Sequence, residues 1–358
     1  MERNRIREKA DEAVRLLADL LSIPAVSREE EKKADFIEKY LRSCHHTVRR
    51  EANNVWCLPD RFREGCPTLL LNAHIDTVRP TAAWTYDPFN PVIHEGRLYG
   101  LGSNDCGGGL VSLMQTFLLL ADREEVPWNL VYLASAEEEV SGGNGVERVL
   151  PLLPPIDVAI VGEPTDMQPA IAEKGLMVLD VIARGKSGHA ARDEGVNAIY
   201  EALSDVHWFR TYRFGRVSPL LGAVRMNLTM IQAGTQHNVV PDECRMVVDV
   251  RSNECYDNRE ILDEIVRNVH SEVAPRSTRL NSSRIAPDHP LVRSAVSLGG
   301  VPYGSPTLSD QALMPWPSLK LGPGDSARSH TADEYIGVDE IRRAVGFYCR
   351  LLTPDVSF

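Results

Sequence analysis

The segment Leu69-Leu70-Leu71-Asn72-Ala73-His74-Ile75-Asp76 closes an apolar run on a histidine and an acid two positions apart. A run of this length, bounded by turn-forming residues, reads as a buried strand. Side chains at i and i+2 of a strand share a face, so the Asp76 carboxylate can take the Nδ1–H of His74 and leave Nε2 free for a metal ion. Alone, the pair reads more readily as a histidine satisfied at a strand end. Acids recur past other apolar runs, however: Asp105 follows 97–101, Glu138 and Glu139 follow 129–134, and Glu163 follows 158–161. Imidazole and carboxylate ligands brought to neighbouring strand ends suit a divalent cation.

The pattern around these residues predicts the elements that hold them. Helices are expected over residues 5–22 and 28–43, the first with Leu16, Leu17, Leu20 and Leu21 on its apolar face. Strands follow at 54–58, 68–74 and 97–101, a helix at 108–121, a strand at 129–134, a helix near 145–152 and a strand at 158–161. Strands alternating with helices imply a mostly parallel sheet with its ligands at the carboxyl ends of the strands. From about residue 174 the pattern changes to a strand at 175–185, a helix at 197–212, strands at 223–233 and 244–252, a helix at 258–273 and a strand at 277–285. Long alternating strands with two helices imply an antiparallel sheet covered on one face, hence an inserted domain. The remainder, with short strands and a helix at 338–352, returns to the first. The expected division is 1–173 with 284–358, and 174–283.

Composition excludes several classes. The chain has 358 residues, 43% hydrophobic and 25% charged, which is ordinary for a globular protein of two domains. A net charge of −11 with scattered Lys and Arg argues against nucleic-acid binding, which needs a clustered basic face. No apolar run approaches a bilayer's thickness, and the first residues lead into a charged helix rather than an apolar leader, so no membrane association and a cytoplasmic location are expected. Seven cysteines, at 44, 57, 66, 106, 244, 255 and 349, include no C-x-x-C pair. They suggest neither a disulfide framework nor a thiolate zinc site, so any metal must use His and carboxylate. The glycines between Gly100 and Gly109 lack the G-x-G-x-x-G spacing and the Lys-Ser/Thr pair of a phosphate cradle.

Taken together, His74-x-Asp76, Asp105 in a glycine-rich turn, Glu138-Glu139, Gly162-Glu163-Pro164 and a late His330 in Ser329-His330-Thr331-Ala332-Asp333-Glu334 resemble the dizinc aminoacylase family. That family includes acetylornithine deacetylase, succinyl-diaminopimelate desuccinylase and glutamate carboxypeptidase. The resemblance runs over nearly the whole chain and is strongest to acetylornithine deacetylase-like members. It implies an α/β fold: a mostly parallel-sheet zinc-peptidase catalytic domain with an inserted α+β, ferredoxin-like lid and dimerisation domain. It also implies two Zn2+ ions, with Co2+ or Mn2+ as substitutes. His74 and Glu163 would bind one ion, Glu139 and His330 the other, and Asp105 would bridge them. Three carboxylates leave two dications one positive charge in excess, which a bridging hydroxide cancels. By the same resemblance that hydroxide attacks the amide, with Glu138 as general base and Asp76 supporting His74. Glu137 stands where the family usually has Asp, and a register shifted by one along Glu137-Glu138-Glu139 is the alternative assignment.

In the inserted domain, Gly185-Lys186-Ser187-Gly188-His189-Ala190-Ala191 and Asn238-Val239-Val240-Pro241 resemble the family's lid. The resemblance implies that His189 reaches across a homodimer to the tetrahedral oxyanion of the partner's site and that Asn238 helps bind substrate. Arg251 matches the substrate-carboxylate anchor, and Lys174 is a secondary contact. Two departures bear on the substrate: Gly107 stands where many members carry Lys, and Arg192-Asp193 replaces a proline-containing segment. The implied activity is removal of the N-acyl group from a small N-acyl amino acid, N-acetylornithine to ornithine and acetate in arginine biosynthesis. An N-succinyl-amino-acid desuccinylase, acting on succinylornithine or succinyl-diaminopimelate, and a metallodipeptidase or carboxypeptidase are the alternatives.

Overall fold

The computed structural model describes residues 2–192 and 194–353; Asp193 and the 354–358 end of the first expected domain lie outside the described residues. The chain divides into two compact units, Met1–Ile171 with Arg284–Tyr303 and Ser309–Phe358, and Ala172–Ser283 with Gly304–Leu308.

The first unit opens with helices α1 (Glu2–Leu21) and α2 (Glu31–Ser43), then strands β1 (Thr47–Glu51), β2 (Asn54–Leu58) and β3 (Thr68–His74). Short strands β4 (Val92–His94) and β5 (Arg97–Tyr99) precede α3 (Gly108–Leu120), β6 (Asn129–Ser135), α4 (Val146–Val149), β7 (Val158–Val161) and β8 (Ala170–Glu173). β3 lies between β6 and β7 and is parallel to both; further along, Ser318–Lys320 is parallel to β7. Antiparallel strands β1 and β2 flank this block. Every residue of β3 and β6 is buried, as a parallel sheet covered on both faces requires. Leu69 and Leu71 pack toward α1, α3 and the last helix, whereas Leu70 packs with Val131, Val146 and Val149 on the opposite face.

The mostly apolar α3 is buried on nearly all sides, and the glycines at its start serve close packing. A Cβ on Gly109 would stand 1.6 Å from the Gly162 carbonyl oxygen, and one on Gly107 would stand 2.4 Å from that of Gly102. Backbone therefore meets backbone where the turn holding Asp105 crosses the exit of β7. This also accounts for Gly107, because a lysine there would collide with the turn.

The second unit contains β9 (Met177–Arg184), α5 (Ala198–Thr211), β10 (Arg225–Ala233), β11 (Glu243–Arg251), α6 (Asn258–Asn268) and β12 (Glu272–Pro275). Its antiparallel sheet has the order β10-β11-β9-β12, with alternate residues of β9 and β11 buried under the two helices. A β-α-β-β-α-β unit of this kind is ferredoxin-like. Segment 304–308 joins it: the Lys174 amide donates to the Ser305 carbonyl at 3.2 Å.

Back in the first unit come β13 (Ser283–Arg284, begun in the second), α7 (Pro290–Ser297), β14 (Tyr303–Ser305, which passes into the second), β15 (Ser318–Lys320), β16 (Tyr335–Gly337) and α8 (Val338–Leu352). Several elements depart from the sequence pattern. β1, β12 and α7 were not expected, α6 stops at Asn268 rather than 273, and only Ser283–Arg284 of 277–285 is strand. The helix expected near 145–152 is α4 followed by a 3-10 turn at Leu150–Leu152. All seven cysteines are free, and among the described residues no helix is long and apolar enough to cross a membrane.

Candidate metal centre

The parallel register aligns His74 with Ser135 and Asn72 with Val161, so β3, β6 and β7 deliver His74, the Glu138–Glu139 turn and Glu163 to one edge of the sheet. The turn between β5 and α3 brings Asp105 there, and the loop after β15 brings His330. His74 Nε2 lies 3.2 Å from Asp105 Oδ1 and 3.6 Å from Glu163 Oε1. His330 Nε2 lies 2.9 Å from Glu139 Oε2 and 3.6 Å from Asp105 Oδ2. The two oxygens of one carboxylate thus each face a different histidine and acid. The two halves differ in exposure: the His74 side chain is 1% exposed, the His330 side chain 53%.

These residues fit a pair of divalent cations. Burial pushes the Glu163 carboxyl up to about 8, with the Asp105 charge adding to it, and burial raises Glu138 well above the carboxylate range, with Glu163, Asp310 and Glu139 contributing. Hydrogen bonding to Glu139 lifts His330 to about 9. Acids crowded this way retain protons because positive charge is short. Glu163 Oε1, moreover, is buried without a hydrogen-bond partner, as an oxygen reserved for a metal would be.

Asp76 behaves differently from the sequence expectation. His74 Nδ1 bonds the Asp76 backbone carbonyl at 2.9 Å, and the nearer carboxylate oxygen stands 3.5 Å away. That carboxylate instead accepts the amides of Glu138 and Glu139 at 3.0 and 3.2 Å and the Ser27 hydroxyl at 2.7 Å. Three donors claim its lone pairs, so the backbone oxygen is left for the imidazole. Glu137, in the left-handed region at φ 54, turns its carboxylate to the Asn144 side chain at 3.1 Å.

Five further residues build the site without any local spacing to announce them. Glu334 accepts the amides of Gly102, Asn104 and Asp105 at 3.0, 2.8 and 2.9 Å, which fixes the Asp105 turn. Ser27 holds Asp76 as described. Asp310, buried, accepts the Ser135 hydroxyl at 2.6 Å, and burial pushes its carboxyl up to about 6. Lys33, only 5% exposed, shares a cavity of about 10 Å³, room for one water, with His74 and Asp76. Asn104 pairs with the Asp325 backbone in both directions, at 3.0 Å each way, and so ties the Asp105 turn to the loop before His330.

The sequence profile of Peptidase family M20/M25/M40 matches residues 70–353, a span that includes every residue of this cluster. The chain belongs to that family. It is therefore a metal-dependent hydrolase of the M20 kind. The acetylornithine deacetylase of Pectobacterium carotovorum subsp. carotovorum (strain PC1) is 33% identical to it over 307 residues, 79% of each chain. Aminopeptidase PepT from Bacillus cereus ATCC 10987 has the same fold, with a TM-score of 0.76 at 18% identity over 96% of this chain and 98% of that one. A Bacillus subtilis dinuclear metal-binding peptidase from the M20 family superposes with a TM-score of 0.72 at 17% identity, covering 97% of this chain and 98% of that one.

In the second unit of this M20 chain the residues expected of a lid come together. His189 bridges to Val239, Ala190 N–H donates to the Asn238 carbonyl at 3.1 Å, and Val240 N–H to that of Gly188 at 2.9 Å. The exposed His189 ring accepts the Ala191 amide on Nδ1 at 3.1 Å, so the neutral ring carries its proton on Nε2. Arg251 is held by Asp249 through two bonds of 2.8 and 3.1 Å. Arg225 faces it across the β10–β11 register. Burial lowers the Lys174 ammonium, and Arg225 and Arg251 lower it further.

Proposed function

We propose that this M20 hydrolase removes the acyl group from an N-acyl amino acid, converting N-acetylornithine to ornithine and acetate as a cytoplasmic homodimer in arginine biosynthesis. The observation that carries the reading is the shared carboxylate, with Asp105 Oδ1 facing His74 and Oδ2 facing His330. His74 and Glu163 would hold one Zn2+, His330 and Glu139 the other, with Asp105 between them. When bound, the ions supply the Lewis acidity that ionises water and polarises the acyl carbonyl. Glu138, fixed through its amide to Asp76, takes the proton from the attacking water on its carboxylate and returns it to the leaving nitrogen. His189 offers Nε2–H to the developing oxyanion of the partner's site. Asn238 lines the same lid, and Arg251, oriented by Asp249, takes the substrate α-carboxylate.

The dimer reading is supported by the second unit's free edge. Among the described residues β10 pairs on one side only, with Met230 and Ile231 more than half exposed, and α5 exposes Ile199, Tyr200 and Leu203. An apolar strand edge of this kind pairs with a copy of itself.

A second reading, desuccinylation, is favoured by Lys174 and Arg225, which add two cations beside the anchor and would suit a second substrate carboxylate. Zinc-reconstituted protein assayed on N-acetylornithine, N-succinylornithine and simple dipeptides separates these. The first reading expects kcat/KM on N-acetylornithine at least about tenfold above the others, one factor of ten being about 1.4 kcal/mol of transition-state binding. A lead for the succinyl substrate installs the second reading, and a lead for dipeptides removes both.

A further inference from the structure

A cleft of about 420 Å³ in the first unit is bordered by Asp166, Met167 and Pro323 and, on the α8 side, by Arg343, Phe347 and Arg350. Its size suits a small molecule. The spacing of residues 343, 347 and 350 places all three on one face of the helix. Arg342 and Glu340 also border the cleft but are already paired: Arg342 with Asp11 and Asp339 at 2.8 and 3.1 Å, Glu340 with Arg328 at 2.8 and 3.2 Å. Arg343, Arg350 and the Asp166 carboxylate have no partner among the described residues. Two permanent cations and one anion thus face the same space.

Gly346 sits between the two arginines, and an interior glycine weakens a helix relative to alanine. Packing does not demand it here, since a Cβ would meet nothing nearer than Arg350 Nη1 at 3.7 Å. Its effect is to leave the wall between the guanidinium groups bare. The opposite wall belongs to the metal centre's own loops. Asp166 and Met167, three and four residues past Glu163, both lie in the left-handed region at φ 51 and 56. Their amides donate to the carbonyls of Gly324 and Gly322 at 2.6 and 2.9 Å, and Pro323 stands between those acceptors on the segment leading to His330.

We propose that this cleft binds an acidic α-amino acid of the glutamate type, its two carboxylates on Arg343 and Arg350 and its ammonium on Asp166, and that occupancy stiffens the loops carrying Glu163 and His330. The charges are complementary, two negative and one positive on the ligand against two positive and one negative on the wall. The stiffening rests on Glu163 and His330 being metal ligands; the binding does not.

Titration calorimetry of the zinc-loaded full chain tests the site, with L-glutamate as probe and succinate and L-alanine as arms lacking the ammonium or the second carboxylate. Expected are saturable binding of glutamate at least tenfold tighter than either arm, and at least tenfold weakening in R343Q/R350Q and in G346M, which fills the cleft from a different position. Turnover of the acyl substrate without glutamate stays within twofold in both variants. Absence of saturable heat, or binding that survives both variants, overturns the site. Glutamate should also slow zinc release to a chelator severalfold in the wild type alone, and an unchanged rate overturns the stiffening. Failure of the ligand assignment is visible separately, as zinc release that E163Q leaves unaltered.

Discussion

Asp76 holds the Glu138–Glu139 turn by its carboxylate and His74 by its backbone, so one residue sets both the proposed base and a proposed ligand. Among the described residues Glu138 forms no ion pair with His74 or His330, so its proposed role can be isolated. E138Q is expected to lose about 10²–10⁴ of kcat, the usual contribution of a general base, while zinc content by elemental analysis stays near two per chain. Substantial residual turnover would return the base role to the neighbouring register. The histidine and the acids past the apolar runs stood out in the sequence, but the carboxylate contact expected of the i, i+2 pair did not form, because the strand ends at His74 and Asp76 meets the imidazole through its backbone carbonyl. Ser27, Glu334 and Asp310 were not legible: each reaches its partner across 49 to 230 residues of chain, and no local spacing records such a contact.

At the level of elements, α6 shows where periodicity misleads. Its apolar repeat runs on toward Val273, yet the helix ends at Asn268 because buried Asp205 on α5 captures the amides of His270 and Ser271 at 3.1 and 2.8 Å and the Ser271 hydroxyl at 2.6 Å. A tertiary acceptor thereby converts the expected last turn of helix into the start of β12. Burial raises the Asp205 carboxyl, but these donors outweigh it and hold it below its ordinary value. Its stabilising effect is therefore complete above the unfolded value of 3.8 and is lost as pH falls through the lower folded one. D205N is expected to cost about 1–3 kcal/mol at neutral pH and to flatten the acid limb of stability below about pH 4, read by urea melts across pH. A limb of unchanged steepness would assign acid sensitivity elsewhere. The glycines from Gly107 to Gly109 make the complementary point, since sequence marks a special backbone there without saying that their neighbours are Gly102, Ile336 and Gly162 rather than a ligand.

For the whole molecule, strand and helix alternation and the change of pattern near residue 174 were enough to foresee a parallel sheet and an antiparallel one, because burial on two faces or one leaves different periodicities. The proposed dimer rests on the apolar edge of β10 and the exposed apolar residues of α5. M230K/I231K should convert a dimer to a monomer by sedimentation and, with His189 acting in the partner's site, lower kcat by about 10²-fold, the scale of an oxyanion donor. A fully active monomer would return His189 to a structural role.

The unequal cover over the two halves of the cluster has a kinetic corollary. On the proposed assignment one ion lies behind a histidine nearly closed to solvent and the other behind one that is half open. Chelator challenge should then proceed in two phases, a fast loss from the His330 half and a slow one from the His74 half, and protein taken between them should be a one-ion form. Neither half is set early in synthesis: Glu334, which fixes the Asp105 turn, and His330 both follow the entire second unit, so the two halves of the site wait on the same late segment.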